Sequence, residues 1–396
     1  MFTREIYTPN FIRLIFSNLF FWMSANLLGP TIPVHFHGLG YSAGAIGLIV
    51  GCYALGALLF RVPAGRWVDR YGSTRVLGIG IFFACLSLVL LLTAQSTEML
   101  LLGRFIHGAS ITGFSSAALT LNSVMHPPKY QGEAVGIYTL FIMIGNGFAF
   151  SSSLPIYELF GFSAVATLSV LASALTFLLF PKNIKVPEPI GPQTPIPIIE
   201  TSKNPGVWIP ATCQFGSNFA YGALFTFVPV LFETVRASGL GWYYIAYSIA
   251  VVLTRMIVSQ ITSRIPSDKL LTWLLLGFGI TLSLTLLPAG PFTAIVLGLL
   301  IGFTYGIAFP AMIPIVSSHT HLAERGTAFG LFTLTVDMGS AVGSILLGVL
   351  IGIWGFHWVF GGAALFLFVQ AFLYHRYLAP RLAAAPKVSE ETIPEV

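Results

Sequence analysis

Three ionisable side chains stand inside long apolar stretches, where an unpaired charge is costly and a functional role is the first hypothesis. Arg104 and His107 lie one helical turn apart in "LLLGRFIHGAS", so a helix places both on one face. Asp337 lies in the middle of "GLFTLTVDMGSAVGS". A carboxyl in such a setting exchanges a proton according to what is bound beside it, and a histidine titrates near neutrality. We therefore predict a proton-exchange site formed by Asp337, Arg104 and His107.

Each of these residues also has a plainer interpretation. Asp337 is alternatively a structural partner that holds Arg104 or a hydroxyl group. His107 is alternatively hydrogen-bonded to a neighbouring hydroxyl and takes no part in proton exchange. Arg104 is alternatively a group that binds an anionic part of the substrate.

The composition excludes a soluble globular protein. The chain has 396 residues, of which 56% are hydrophobic and only 8% charged, with a mean hydropathy of +0.85. Its apolar residues come in uncharged blocks such as "GIGIFFACLSLVLLLTA". A bilayer core about 30 Å thick needs roughly 20 such residues per helix. Backbone groups in lipid must pair within their own segment, so a polytopic, all-α membrane protein is predicted.

Twelve helical spans are predicted, at 11–34, 41–63, 75–94, 98–122, 133–156, 162–180, 207–231, 238–262, 269–288, 291–316, 327–352 and 356–378. Among 19 Lys and Arg residues, only Arg236 falls in a loop assigned to the outer side. The positive-inside rule therefore predicts that both termini are cytoplasmic and that the protein lies in the inner (plasma) membrane. Arg61 and Arg255 are predicted near the cytoplasmic ends of their spans, with side chains that extend to the interface.

The two halves of the chain match at one fixed offset of 194 residues. This offset relates Arg61 to Arg255 and Tyr53 to Tyr247, and it also relates several glycines of the two halves. An offset that stays the same across all these matched positions indicates a duplicated six-helix unit. Two parallel repeats with a site between them at mid-membrane are typical of transporters.

The longest connection, residues 181–206, is rich in proline and is predicted to be an extended cytoplasmic linker. It separates an N-terminal six-helix bundle, residues 1–180, from a C-terminal bundle, residues 207–380. Residues 381–396 are predicted to form a polar cytoplasmic tail.

The segment "GRWVDRYGSTR" concentrates charge between spans 2 and 3. Gly65, Asp69, Arg70 and Gly72 resemble the Gly-x-x-x-Asp-Arg-x-Gly signature of the major facilitator superfamily, in particular its drug and sugar efflux branch. In "GRFIHGASITGF", Arg104 and the glycine that follows it resemble the family's span-4 motif. The resemblance implies twelve helices arranged as two parallel six-helix repeats.

The resemblance also implies that this loop is a conformational latch between the halves. Its carboxylate would meet the N-terminus of span 11, where unpaired N–H groups favour an anion. Its glycines would let helix backbones approach closely. The predicted latch residues are Gly65, Asp69, Arg70, Gly72, Arg75 and Arg325. The alternative is a basic loop that only fixes the orientation of the chain.

In the family plan, spans 1, 4, 7 and 10 line a central cavity. Aromatic and amide groups with little charge suit a neutral polar or moderately apolar solute. The candidate cavity residues on these spans and on spans 2 and 8 are Asn26, Tyr53, Gln214, Asn218, Tyr221, Tyr247 and Tyr305.

These features predict a secondary transporter that exports a small organic solute in exchange for protons. The glycine spacing of span 5 resembles that of family antiporters, but Ala149 and Phe150 stand where that pattern has Gly-Pro. A proton-coupled uptake symporter for a sugar or an organic acid is therefore the alternative. No nucleotide-binding loop, metal spacing or catalytic cluster is apparent in the sequence, which predicts no cofactor and no enzyme. The predicted partners are the solute, protons and the lipid bilayer, without nucleic acid, and a monomer suffices.

Overall fold

The protein folds into long helices joined by short turns, as the apolar blocks predict. The structure, a computed structural model, describes residues 6–126, 128–181, 198–287, 290–320 and 325–386. The helices of the first half are α1 (Pro9–Gly38), α2 (Ala43–Tyr71), α3 (Ser73–Thr93), α4 (Thr97–Val124) and α5 (Pro128–Leu179). Those that follow are α6 (Ile198–Lys203), α7 (Pro205–Thr234), α8 (Leu240–Arg264), α9 (Ser267–Leu284), α10 (Pro291–Ser318), α11 (Arg325–Trp354) and α12 (Phe356–Leu373), and then a π-helical turn (Tyr374–Leu378) and α13 (Ala379–Ala384).

Polar residues at the helix starts fix where several spans begin. The Thr8 hydroxyl accepts a hydrogen bond from Phe11 N at 3.2 Å and caps α1. Ser42 and Ser96 cap α2 and α4 in the same way. Each cap pairs a backbone N–H group that the first helical turn leaves without a partner. The polar residues between the apolar blocks therefore set the helix boundaries.

The twelve predicted spans are accounted for. In the described part of the chain, nine helices are long and apolar enough to cross a membrane. One of them, α5, contains a break at Gly161, whose backbone has φ 80° and ψ 177°, and so forms two arms. The second arm, together with α4 and the shorter α9, completes the twelve segments. The break separates the predicted spans 133–156 and 162–180, because glycine adopts a positive φ without a Cβ clash.

The two halves repeat the same architecture, which confirms the predicted duplication. Gly355, the counterpart of Gly161, separates α11 from α12 with φ 79° and ψ 167°. Gly108 brings α4 against the backbone of Tyr53 on α2, and Gly302 brings α10 against the backbone of Tyr247 on α8. Small residues allow helix backbones to touch in this way. The same contact therefore occurs at equivalent positions of the two repeats.

The halves meet on one side of the bundle. We call the side where α1 begins the terminal side and the opposite side the far side. On the far side, Gly47 of α2 lies against Gly348 of α11, where a Cβ would be 3.2 Å from Gly348 Cα. Phe150 of α5 contacts Phe225 of α7, with ring centroids 5.0 Å apart. These contacts close the space between the halves at its far end.

The predicted linker and tail differ from the structure in part. Residues 182–197 of the linker lie outside the described residues, but Ile198–Lys203 form the short helix α6 instead of an extended chain. Helix α13 continues to Ala384, so the tail predicted at 381–396 begins inside a helix. Apolar residues explain the continuation, since Leu382 of α13 is buried. The part of the tail beyond residue 386 lies outside the described residues.

Candidate functional site

A central cavity of about 530 Å³ lies between the two halves. Helices α1, α2, α4 and α5 line it from the first half, and α7, α8, α10 and α11 line it from the second. Its size is in the usual range for small-molecule sites. The family plan implied only four lining helices, α1, α4, α7 and α10. The structure adds α2, α5, α8 and α11. The charged residues described next, apart from Arg104, lie on these four additional helices.

An ion pair between Arg61 and Asp337 joins the halves inside this cavity. Asp337 Oδ2 accepts hydrogen bonds from Arg61 Nε at 3.0 Å and from Nη2 at 2.5 Å. The side chains are 22% and 12% exposed, so the pair is partly shielded yet reachable from the cavity. The expectation that Arg61 extends to the interface is wrong. Arg61 lies well inside α2, and the close approach of α2 and α11 brings its guanidinium to the carboxylate.

The alternative in which Asp337 holds Arg104 is not what the structure has. Arg104 is 5% exposed and donates from Nε to the backbone carbonyl of Ile49 at 3.3 Å. Its guanidinium carbon lies 4.6 Å from the centre of the Tyr53 ring, a cation–π contact. In the part of the chain that the structure describes, Arg104 therefore lines the cavity with a carbonyl and an aromatic ring as partners, and without a carboxylate.

His107 lies outside the cavity wall. It is fully buried, and its ring packs edge-on against Tyr53 with centroids 5.3 Å apart. Among the described residues, neither ring nitrogen has a hydrogen-bond partner. The neighbouring Ser110 hydroxyl donates to the His107 backbone carbonyl at 2.6 Å instead of to the ring. The sequence-based alternative of a ring bonded to a hydroxyl is thus not what the structure has.

A cluster of tyrosines forms the second-half wall of the cavity. Tyr221 and Tyr305 stack with centroids 4.1 Å apart, and Tyr247 lies 6.3 Å from Tyr221. Phe150 from the first half packs against Tyr247 at 5.5 Å. Arg255 of α8 also faces the cavity, and its Nε is buried without a hydrogen-bond partner in the described part of the chain. The offset that pairs Arg61 with Arg255 was the sequence signal for this residue.

The remaining cavity candidates fall into two groups. Asn26 lines the cavity and donates to Asn146 Oδ1 at 2.9 Å, and Asn218 also lines it. Asn146 is a lining residue that the sequence reasoning missed, although it lies mid-span in "IGNGFAF". Gln214 does not line the cavity. It lies one turn before Asn218 on α7, and its side chain is buried.

The predicted latch is only partly visible. Gly72 ends α2 with φ 85°, a conformation that favours glycine, and its turn leads directly into α3. A Cβ at Gly65 or Gly72 would have no atom within 4 Å, so neither glycine makes the predicted close approach in this conformation. Arg70 is exposed over the ring of the next residue, and Arg75 is exposed. The predicted contact between Asp69 and Arg325 depends on two side chains outside the described part of the structure.

The sequence resembles known transporters along its whole length. The family profile described as Major Facilitator Superfamily matches residues 14–238 and 211–394. A staphylopine export protein of Staphylococcus aureus is 26% identical over 390 residues, which cover 92% of this chain and 95% of that protein. Multidrug resistance protein 1 of Bacillus subtilis is 27% identical over 364 residues, which cover 86% of this chain and 90% of that protein.

Solved structures share the fold at lower identity. A bacterial homologue of the human lysosomal transporter Spinster, in an inward-facing and unoccupied conformation, has a TM-score of 0.75 at 15% identity over 98% of this chain and all (100%) of that one. A peptide transporter, POT, has a TM-score of 0.79 at 13% identity over 95% of both chains. At identities this low, the likeness shows a shared arrangement of helices and says nothing about the solute.

Proposed function

The chain belongs to the major facilitator superfamily, and from that premise we propose that it exports a small organic solute in exchange for protons. Family membership makes it a multi-pass membrane transporter of small molecules and not an enzyme. Efflux is supported by the names of its relatives, one an export protein and the other a multidrug resistance protein. We further propose that it acts as a monomer, since the two halves of one chain enclose the cavity.

The names of the relatives support the proposed export direction, and the charge pattern and the closed far side are compatible with it. Lysine and arginine are concentrated in the loops of the terminal side, which the positive-inside rule assigns to the cytoplasm. The solute would then enter the cavity from the cytoplasm while the far side is closed by Gly47, Gly348 and Phe150. Rocking of the halves about the cavity would open the far side and release the solute.

The observation that carries the proton coupling is the Arg61–Asp337 ion pair. Asp337 is the carboxyl that both faces the cavity and contacts the opposite half. Protonation of Asp337 removes its charge and weakens the hydrogen bonds from Arg61. Proton binding is thereby linked to the contact between the halves, which is what exchange requires. Arg104, held 4.6 Å from the Tyr53 ring, lies in the same cavity and stays a predicted member of the proton site, as does the buried His107.

The test is a flux measurement in vesicles that contain the protein and a trapped pH-sensitive dye. A proton gradient is imposed, and ethidium, glucose or citrate is added as the solute. Three proteins are compared: the native chain, Asp337→Asn, and Glu98→Gln as a control. Glu98 is an exposed carboxylate at the start of α4, away from the cavity.

We expect one of the solutes to trigger proton movement with the native protein and with Glu98→Gln, and not with Asp337→Asn. The direction of proton movement relative to the solute distinguishes exchange from co-transport. Solute movement without protons in the native protein would contradict the proposed coupling. Proton movement that survives Asp337→Asn would move the coupling to another residue.

A further inference from the structure

The internal repeat contains a second position equivalent to the Arg61–Asp337 ion pair. At that position, one of the two charged residues is missing. Helices α5 and α8 are the repeat counterparts of α11 and α2, and they pack together across the halves as α2 and α11 do. The offset of 194 takes Arg61 to Arg255 on α8. The same offset in reverse takes Asp337 to Met143 on α5. The arginine is therefore present in both repeats, but its carboxylate is present in only one.

Among the described residues, Arg255 is consequently a cation without an anionic partner. It lines the cavity, as Met143 does. Its Nε is buried and has no hydrogen-bond partner among the residues that the structure describes. Tyr247 and Tyr305 line the same cavity. A guanidinium in such a place is unfavourable unless an acceptor satisfies it, and its planar donors match a carboxylate.

Arg104 presents a second uncompensated cation from the opposite half. Its partners are the Ile49 carbonyl and the Tyr53 ring, neither of which neutralises its charge. The cavity wall as described contains three arginines, at 61, 104 and 255, and one carboxylate, at 337. Its net formal charge is therefore positive by two, which repels organic cations and attracts anions.

We propose that the exported solute is an organic dianion, with one carboxylate bound by Arg255 of the second half and the other by Arg104 of the first. This inference rests on the proposed function, since it names the solute of the same cavity. The stacked rings of Tyr221 and Tyr305, which line the same cavity as Arg255, provide a surface for an apolar or aromatic part between the carboxylates. A solute held from both halves at once would favour their closure around it.

The proposal is tested by equilibrium binding to the purified protein in detergent, without any gradient. The probes share one ring and differ in charge: isophthalate with two carboxylates, benzoate with one, and the uncharged isophthalamide. Citrate is included as a dianion or trianion without a ring. Each dissociation constant is measured by calorimetry for the native chain and for four variants.

Two variants at Met143 test the position of the missing carboxylate. Met143→Asp places a carboxylate at the position equivalent to Asp337, where it would pair with Arg255 in place of the solute. Met143→Asn is the matched control of the same size without charge. We also compare Arg255→Gln and Arg104→Gln. The thermal unfolding of every variant in detergent shows whether it is folded.

We expect the native protein to bind isophthalate or citrate, with affinity falling in the order dianion, monoanion, diamide. Loss of one charge-assisted contact should weaken dianion binding by about tenfold to a hundredfold in Arg255→Gln, Arg104→Gln and Met143→Asp. Met143→Asn, which adds no charge, should bind the dianion about tenfold or more tightly than Met143→Asp does. The proposal is overturned if neither dianion binds better than the diamide, or if folded Met143→Asp and Met143→Asn bind the dianion equally.

The binding experiment and the flux experiment test the two proposals independently. A protein that binds the dianion in this order but moves no protons in vesicles would refute the proton exchange and leave the solute class standing. A protein that exchanges protons for ethidium or glucose and ignores both dianions would refute the solute class and leave the exchange standing.

Discussion

The ion pair between Arg61 and Asp337 leads to a quantitative prediction about the balance between conformations. Because α2 and α11 touch on the far side through Gly47 and Gly348, opening that side draws the two helices apart and stretches the pair. Replacing Asp337 by Asn removes the charge while keeping the shape of the side chain. The far-side-open conformation should therefore become more populated in Asp337→Asn.

The size of the effect follows from the geometry of the pair. Two donors of Arg61 share Oδ2 of Asp337, at 3.0 and 2.5 Å. Hydrogen bonds to charged groups contribute about 1.5–3 kcal/mol, and the partial exposure of both side chains argues for about 2 kcal/mol. Since each 1.4 kcal/mol is about tenfold in an equilibrium, the population ratio should shift by about 30-fold at most.

Distance measurements between spin labels on the far side provide the assay. Leu39 and Val235 follow the far-side ends of α1 and α7, and both are exposed enough to carry a label. The native cysteines are first replaced by serine: Cys52, Cys85 and Cys213. We expect Asp337→Asn to increase the fraction of long distances, and Glu98→Gln to leave the distribution unchanged.

A double-mutant cycle separates the effect of the ion pair from the individual effects of its two residues. Arg61→Gln alone leaves Asp337 charged and unpaired, so it too should populate the far-side-open state. The double variant Arg61→Gln with Asp337→Asn should shift the distances by less than the sum of the two single shifts. Strictly additive shifts, or no shift in Asp337→Asn, would refute the reasoning that this pair links the halves.

Three further predictions concern packing and backbone geometry. Gly47→Leu should hold the far side apart, because its side chain meets the α11 backbone, and the same spin labels would report longer distances. Gly161→Ala should lower thermal stability in detergent by about 1–2 kcal/mol because its φ is 80°, whereas Gly136→Ala, with no atom within 4 Å, should not. Tyr53→Leu should lower the melting temperature by removing the ring over Arg104, an interaction of about 1 kcal/mol, while Tyr53→Phe should retain it.

The fold was accessible from the sequence because each of its signals is local. Apolar blocks determine where spans lie, and Ser42 and Ser96 mark where two of them begin. The offset of 194 found the duplication, and the positive φ values at Gly161 and Gly355 occur at equivalent places. None of these inferences requires knowledge of which helices touch. The short helix α6 was missed because it follows a proline-rich stretch, and the extent of α13 was missed because Pro380 lies in its first turn.

The partners inside the cavity were not accessible, because they depend on contacts between residues far apart in the sequence. Asp337 was singled out by its charge, yet Arg61, which binds it, lies 276 residues away on another helix. The sequence offered Arg104 or a hydroxyl group only as alternative partners. Packing of α2 on α11, through glycines that allow the helices to approach, brings Arg61 to the carboxylate instead. A charged residue within a span can therefore be identified from the sequence as a member of the site, but the residue that pairs with it cannot.

The two proposals together assign different roles to the two crossings between the halves. The crossing of α2 with α11 contains a complete ion pair, Arg61 and Asp337, and is suited to exchange a proton. The equivalent crossing of α5 with α8 has Arg255 and Met143 and needs an anion from outside the chain. A carboxylate at only one of the two equivalent crossings is enough to separate the proton from the solute. Adding the carboxylate in Met143→Asp should therefore make the crossings alike and weaken dianion binding by about tenfold to a hundredfold while the Arg61–Asp337 pair still exchanges a proton.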